Sequence, residues 1–208
     1  MNKYITEFIG TFFLVLTIGC SVLAKGGGVI PPLAIGSVLM VMVYAGGHVS
    51  GGHYNPAVTI GVWLRGRCAA ADVVPYWMAQ IAGAVAAAMV VQFLRPDVAV
   101  VAATPNVARA LAAEFLFTFA LVYVVLNSAT AKGTQGNSFY GFAIGFTVLT
   151  GAFAVGDISS GAFNPAVAVG ITVLGLSTWA NLWIFMVANF AAAITAAITF
   201  KTLNPADR

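Results

Sequence analysis

Six long apolar stretches dominate this sequence and limit what it can fold into. They lie at approximately residues 4–24, 32–47, 72–94, 107–128, 138–155 and 178–201. An α-helix needs about 20 apolar residues to cross the hydrocarbon core of a bilayer. Only 7% of the residues are charged, whereas an average soluble domain has about 25%. The sequence therefore predicts an all-α membrane protein with six transmembrane helices.

Two further helical segments are roughly half as long as a membrane span. They cover residues 55–64 and 164–174, and both begin with Asn-Pro. Proline at the first helical position sacrifices no hydrogen bond, and a preceding asparagine can cap the exposed N–H groups. Glycine-rich chain precedes both segments, and irregular backbone at membrane depth must be buried in protein or line a wet cavity. We expect two re-entrant half-helices that line a pore.

The second half of the sequence repeats the first. At an offset of 109 positions, Asn55-Pro56-Ala57-Val58 matches Asn164-Pro165-Ala166-Val167. Residues 1–95 and 107–203 thus form two repeats within a single channel domain of residues 1–208. Each repeat contains three spans, and because three is odd, the repeats enter the membrane from opposite faces. The two half-helices then meet near the middle of the bilayer.

Charge and reactive residues exclude several other classes of function. The net charge of +3 comes from scattered residues, without the basic stripe of a nucleic-acid-binding protein. Cys20 and Cys68 have neither metal-ligand spacing nor a disulfide framework. His48 and His53 have no neighbouring carboxylate or cysteine arranged for metal, and no catalytic arrangement is recognisable. We expect no enzyme activity, no metal, no cofactor and no nucleic acid partner.

Basic residues predict the orientation of the chain. With six spans, six basic residues lie on the side of the termini: Lys3, Arg65, Arg67, Lys132, Lys201 and Arg208. Three lie on the other side: Lys25, Arg95 and Arg109. Basic loops stay in the cytoplasm, so we expect a multi-pass protein with cytoplasmic N- and C-termini. Short termini favour a prokaryotic plasma membrane, with a eukaryotic vacuole as the alternative.

Several motifs together resemble the aquaporin, or major intrinsic protein, family. They are the paired Asn-Pro-Ala triplets, the lead-in Gly46–Tyr54, the Glu-x-x-x-Thr-Phe motifs at Glu7 and Glu114, and the segment Pro75–Gln80. The resemblance covers essentially the whole chain. It implies a right-handed bundle of six helices and two half-helices, a passive pore for water and small uncharged solutes, and a homotetramer with one pore per subunit.

The paired half-helices suggest how such a pore excludes ions. Each helix N-terminus carries about half a positive charge and unsatisfied N–H donors. The amides of Asn55 and Asn164 can also donate to the oxygen of a passing water, which turns its hydrogens outward and interrupts a proton wire. The positive potential opposes cations. The alternative is that both asparagines only cap their helices.

Glu7 and Glu114 are acids inside spans, where a charge is costly and suggests a function. A proton relay is one interpretation. The resemblance favours another, in which they brace the re-entrant loops by accepting backbone N–H bonds. For His48 and His53 we expect loop support, or a His53 carbonyl facing the pore, rather than pH sensing.

The narrow constriction departs from the family pattern. Many members have arginine after the second Asn-Pro-Ala, with a histidine from the fifth span and an aromatic residue from the second. By alignment, the four constriction positions here are Ile35, Ala152, Gly161 and Val167. This ring is apolar and uncharged, so we expect water to pass with one or more of glycerol, urea, ammonia or hydrogen peroxide.

Other functions stay open on sequence grounds. A strictly water-selective channel is one alternative, and a closed structural member of the family is another. Tyr54, Phe153 or Phe163 could close the apolar gap. A secondary transporter also uses inverted repeats and broken helices, but it needs ionisable groups for coupling, which are scarce in these spans.

Overall fold

A computed structural model describes residues 1–26 and 28–207, which contain eight α-helices and no strand. The helices are α1 Asn2–Val22, α2 Ile30–Ser50, α3 Pro56–Leu64, α4 Ala70–Leu94, α5 Val107–Val125, α6 Tyr140–Ser159, α7 Pro165–Val173 and α8 Leu182–Leu203. All except α3 and α7 belong to six segments that are long and apolar enough to cross a membrane. The predicted fold class is confirmed. Arg208 lies outside the described residues.

Helix lengths match the thickness of a bilayer. The 21 residues of α1 extend about 32 Å, close to the roughly 30 Å of the hydrocarbon core. α2 is longer than the predicted 32–47 at both ends. It begins at Ile30, and it continues past Gly47 to Ser50, where Gly51 turns left-handed with φ +90°. α5 also continues, as a π-helical turn over Leu126–Thr130.

The packing has the two-fold pattern expected of inverted repeats. α1 packs against α2 and α4, and α5 packs in the same way against α6 and α8. The half-helices exchange partners, since α7 packs against α4 and α3 against α8. α2 and α6 pair across the two-fold axis, as do α3 and α7. The two half-helices are therefore held between the repeats, at the centre of the bundle.

Two equivalent glycines allow α2 and α6 to cross closely. A Cβ at Gly36 would lie 2.8 Å from the carbonyl oxygen of Gly145, and one at Gly145 would lie 2.7 Å from the Cβ of Met40. Small residues at such crossings let helix backbones touch in a membrane. The contact fixes the distance between the repeats on this side of the bundle.

The outside of the bundle is apolar. Large apolar side chains are exposed on all six spanning helices, among them Phe13, Val41, Met78, Leu116, Phe142 and Ile198. An apolar surface of this extent does not occur on a soluble monomer. The surrounding solvent is therefore the lipid of a bilayer.

Candidate functional site

The two half-helices begin in the same way. Asn55 and Asn164 are extended, with φ of −158° and −160°, and each is followed by proline at the start of the helix. The Oδ1 atom of Asn55 accepts hydrogen bonds from Ala57 N at 2.8 Å and Val58 N at 3.4 Å. Asn164 repeats this capping. Both asparagines therefore satisfy N–H groups that a helix start leaves unpaired.

The same asparagines tie the two half-helices together. Asn55 Nδ2 donates to the carbonyl of Phe163 at 2.9 Å, and Asn164 Nδ2 donates to the carbonyl of Tyr54 at 2.8 Å. Each amide nitrogen carries two hydrogens, and both asparagines line the central cavity. One hydrogen holds the opposite loop, and the second can be donated to a molecule in the cavity.

The Glu7 carboxylate holds the first re-entrant loop, residues 51–54. Its Oε1 accepts from Ser50 Oγ at 2.7 Å and His53 N at 2.9 Å, and its Oε2 accepts from Tyr54 N at 2.6 Å and Gln80 Nε2 at 2.8 Å. Glu7 is fully buried. All of these partners are neutral donors, so the carboxylate acts here as an acceptor for loop backbone.

Glu114 holds the second re-entrant loop, residues 160–163, in the equivalent way. It accepts from Ser159 Oγ at 2.8 Å, Ala162 N at 2.9 Å and Phe163 N at 2.7 Å. The Asn189 amide, oriented to satisfy its neighbours, donates to Glu114 at 3.1 Å and accepts from Asn164 N at 2.9 Å. The carboxylate thus connects the loop to α8.

Gln80 and Asn189 belong to the site although the sequence predicted no role for them. These residues occupy equivalent places in α4 and α8, each donating to the carboxylate of its own repeat. A signal was present in the sequence, because the two positions differ by the repeat offset of 109. A polar amide at matching positions of two apolar spans could have identified both.

Both loops end on a strained residue. Tyr54 and Phe163 have positive φ values of 49° and 48°, which are uncommon for residues with a side chain. Each lies directly before its asparagine, and each gives its backbone N–H to a glutamate and its carbonyl to the opposite asparagine. The carboxylates therefore hold the turns that aim both asparagines at each other.

A narrow cavity of about 70 Å³ runs past both asparagines. All four predicted constriction residues line it: Ile35, Ala152, Gly161 and Val167. Most of the remaining lining is aliphatic, from Leu14 and Ile18 to Ile144 and Ile171. At roughly 10–15 Å³ of such volume per water molecule, the cavity holds about five waters, which is enough for a single file.

None of the aromatic rings named as a possible gate fills this cavity. The Tyr54 ring is buried against Gly10 and Gly46, where a Cβ on either glycine would collide with it. The Phe163 ring packs against Phe117 at 5.5 Å between centroids. Phe153 is 49% exposed on α6 and lies outside the lining.

A wider vestibule of about 650 Å³ adjoins the narrow cavity, and its lining includes Lys3, near the N-terminus. His53 lines both spaces, and its Nδ1 lies 3.1 Å from Thr59 Oγ1. His48 is exposed at the last turn of α2, not in the loop, and lines only the vestibule. Lys3, Arg67 and Lys132, which the sequence placed on the side of the termini, also line the vestibule.

A buried ion pair beside the vestibule was not anticipated. Arg65, at the end of α3, donates from Nη2 to Asp207 Oδ1 at 2.7 Å, and its side chain is only 2% exposed. The guanidinium also lies 4.7 Å from the centroid of the Phe200 ring. The backbone N–H of Lys132 donates to Asp207 Oδ2 at 2.7 Å. The last described residues thereby tie α3 to the segment that follows α5.

Comparisons with known proteins agree on one family. The sequence model of the family described as Major intrinsic protein matches residues 1–200. The chain is 34% identical over 218 residues to "Glycerol uptake facilitator protein-like 6" of Lactiplantibacillus plantarum, with all of both chains covered. It is 35% identical over 213 residues to "Aquaporin NIP1-4" of Oryza sativa subsp. japonica, covering 98% of this chain and 77% of that protein.

A solved structure has the same fold. The crystal structure of the aquaglyceroporin from Plasmodium falciparum superposes with a TM-score of 0.83, covering 96% of this chain and 94% of that chain. The two sequences are 21% identical, so the match concerns the fold alone.

Proposed function

We propose that this chain conducts small neutral solutes together with water. It belongs to the major intrinsic protein family and is therefore a passive membrane channel for water and small solutes and not an enzyme. The family predicted from the sequence is confirmed. The candidate solutes are glycerol, urea, ammonia and hydrogen peroxide, of which the pore passes one or more together with water.

The composition of the constriction is the observation that carries this proposal. Ile35, Ala152, Gly161 and Val167 line the same narrow cavity as Asn55 and Asn164. Within the described part of the chain, the lining includes no lysine, arginine, aspartate or glutamate. Without a fixed charge or a bulky polar side chain at the ring, a neutral solute meets no strong binding site there.

We assign ion exclusion to the paired half-helices. Their positive N-terminal ends and the free amide hydrogens of Asn55 and Asn164 orient the oxygen of each passing molecule and repel cations. Glu7 and Glu114 are proposed to brace the loops and not to relay protons, because their hydrogen bonds go to backbone and neutral side chains.

A strictly water-selective channel is the second candidate, and the small volume of the cavity favours it. About 70 Å³ suits a single file of water, and solutes such as glycerol require the lining to widen. The permissive channel and the water-selective channel differ in which molecules cross the membrane of vesicles that contain the protein. A closed structural member of the family would pass neither water nor solute.

Stopped-flow light scattering on proteoliposomes tests the proposal. Osmotic shrinkage reports water permeability, and re-swelling in glycerol or urea reports solute entry, both against protein-free vesicles. The double variant Asn55→Asp/Asn164→Asp serves as a control that keeps side-chain shape but removes both amide donors. We expect the native protein to accelerate water and at least one solute, and the variant to lose most of this flux.

Two results contradict the proposal. Rapid water flux with no solute entry would establish the water-selective channel. Flux of neither would indicate a closed member of the family.

We also propose the assembly and location of the channel. The small residues of α4 and α8 pack mainly within the subunit, where Ala84, Ala87, Ala192 and Ala196 are buried. Membership of the family is what supports a homotetramer with one pore per subunit. The vestibule is lined by Lys3, Arg67 and Lys132, and this excess of basic residues supports a cytoplasmic location. Both termini then face the cytoplasm of a cell whose plasma membrane holds the protein.

A further inference from the structure

The side chains that line the vestibule carry an excess of positive charge. Lys3, Arg67 and Lys132 are its cations, and within residues 1–26 and 28–207 Asp72 is its one carboxylate. Asp72 is already engaged, because it accepts hydrogen bonds from Lys3 Nζ at 2.5 Å and Tyr4 Oη at 2.8 Å. The charge of Lys3 is therefore compensated within the lining, whereas the charges of Arg67 and Lys132 are not.

The neighbouring carboxylates do not remove this excess. Asp207 lies outside the lining, and its oxygens accept from Arg65 Nη2 and from the backbone N–H of Lys132, both at 2.7 Å. The Lys132 ammonium is farther away, 4.0 Å from Asp207 Oδ1, and the side chain is 58% exposed. Glu7 is fully buried behind the first re-entrant loop and also lies outside the lining. Since Arg65 and Asp207 cancel each other, the vestibule keeps two uncompensated cations.

Uncharged donors face the same space. His48, Gln135 and Tyr140 line the vestibule, and in the described part of the chain no partner takes up the donors of their side chains or of the Arg67 guanidinium. A guanidinium presents a planar fork of N–H groups that matches a phosphate group. Imidazole, amide and hydroxyl groups add single hydrogen bonds. The vestibule thus has both the charge and the donors that an anion requires.

The size and position of the vestibule indicate what such an anion would do. Its volume of about 650 Å³ lies within the roughly 300–1,000 Å³ of small-molecule sites, so it accommodates an organic molecule and not only an inorganic ion. His53 and Val125 line both the vestibule and the narrow cavity. A molecule bound in the vestibule therefore lies across the end of the narrow cavity.

We propose that the vestibule binds the phosphate group of a soluble organic phosphate monoester, and that the bound molecule slows flux through the pore. A phosphate monoester carries a charge of about −1.5 to −2 at neutral pH, which matches the two uncompensated cations. A monoanion leaves one of them unpaired. The inference goes beyond the proposed function, because it concerns a molecule that binds and not one that passes, and it applies to a permissive and to a water-selective pore alike.

Isothermal titration calorimetry on the purified protein in uncharged detergent tests the binding. Phenyl phosphate and phenyl sulfate are the probes, since they have nearly the same shape and differ in charge. We expect saturable binding of phenyl phosphate at millimolar concentration and binding of phenyl sulfate that is about tenfold weaker. Arg67→Gln should weaken the binding of phenyl phosphate by about tenfold. Arg109→Gln is the matched control, because Arg109 is exposed and lies outside the lining, and it should bind as the native protein does.

Water flux into phosphatidylcholine proteoliposomes tests the position of the bound molecule. Phenyl phosphate is present at equal concentration on both sides, so that the orientation of the protein does not matter. We expect it to slow water flux through the native protein and Arg109→Gln, and to have a smaller effect on Arg67→Gln. Saturable binding without any effect on water flux would overturn the position across the pore.

Two results of the calorimetry would overturn the site itself, namely no saturable binding of phenyl phosphate or equal affinity of Arg67→Gln and the native protein. Binding of a short-chain phosphatidic acid but not of phenyl phosphate would overturn the soluble ligand and assign the site to a lipid headgroup. A native protein without any flux would contradict the proposed function, while the calorimetry would still decide whether the vestibule binds the phosphate.

Discussion

Among single residues, Val167 has the largest consequence for what passes the pore. It directly follows the second Asn-Pro-Ala triplet, is buried, and lines the cavity beside Ala152 and Gly161. A side chain of this kind contributes neither charge nor a hydrogen bond. Its replacement changes size and polarity at one point of the narrow cavity.

We predict that Val167→Arg reduces glycerol and urea flux by about tenfold, and water flux much less. The guanidinium narrows the ring and adds a fixed positive charge with five N–H donors. A water molecule is small enough to pass and can accept hydrogen bonds from these donors, whereas glycerol and urea are too large for the narrowed ring. Val167→Leu narrows the ring without adding donors and is the control. Stopped-flow measurements on the three proteins give the ratios, and equal loss of water and solute flux in Val167→Arg would contradict the prediction.

The sequence identified the two asparagines that begin the half-helices, but it did not identify every residue that supports them. Asn55 and Asn164 were evident because each opens a half-length helix in a repeated motif. Gln80 and Asn189 were not assigned, since their importance depends on which face of α4 and α8 points inward. Helices that are apolar on every face carry no periodic signal from which to read that orientation.

At the scale of the helices, the crossing of α2 and α6 depends on glycine. A Cβ at Gly145 would press on backbone atoms of α2, whereas a Cβ at Gly156 on the same helix has nothing within 4 Å. Both positions are glycines of α6, but Gly145 is packed against α2 and Gly156 faces open space. They form a matched pair for measuring how much the crossing contributes to stability.

We predict that Gly145→Ala lowers the thermal stability of the purified protein in detergent, because overpacking costs roughly 1–3 kcal/mol. Gly156→Ala should be neutral or slightly stabilising, since alanine favours helix by about 0.5–1 kcal/mol relative to glycine. Thermal unfolding followed by circular dichroism compares both with the native protein. Equal midpoints of thermal unfolding for the two variants would show that α2 and α6 can move apart without loss of stability.

Helix positions followed from hydropathy and from the Asn-Pro starts, but helix ends did not. α2 was predicted to end at Gly47, but it continues through His48 and Val49 to Ser50. The π-helical turn Leu126–Thr130 has no sequence signature. Such a turn depends on contacts from distant parts of the chain.

Across the whole molecule, the inverted repeat accounts for most of the architecture and could be derived from the sequence. Equivalent helices pack equivalently, so one repeat and the two-fold axis generate the other. The contact between Arg65 and Asp207 lies outside this symmetry. It joins residues 142 positions apart, and nothing in the local sequence of either residue indicates the pairing.

This contact makes the stability of the protein depend on pH. The backbone N–H of Lys132, with the Arg65 guanidinium, holds the pKa of Asp207 below its usual value of 3.8. A carboxylate whose pKa is lowered by folding stabilises the protein above its unfolded pKa, and this stabilisation is lost as the pH falls through the folded value. The contribution of Asp207 is therefore complete at pH 7, begins to fall near pH 4 and is lost as the pH passes through the lower pKa of the folded protein.

We predict that Asp207→Asn lowers the midpoint of thermal unfolding by a few degrees at neutral pH, because Arg65 is left buried without its counter-charge. The deficit should shrink as the pH is lowered through the range in which the native carboxylate becomes protonated. Asp97→Asn, exposed in the connection between α4 and α5, is the control and should match the native protein at each pH. A deficit in Asp207→Asn that is the same at neutral and acidic pH would mean that residue 207 acts through packing and not through charge.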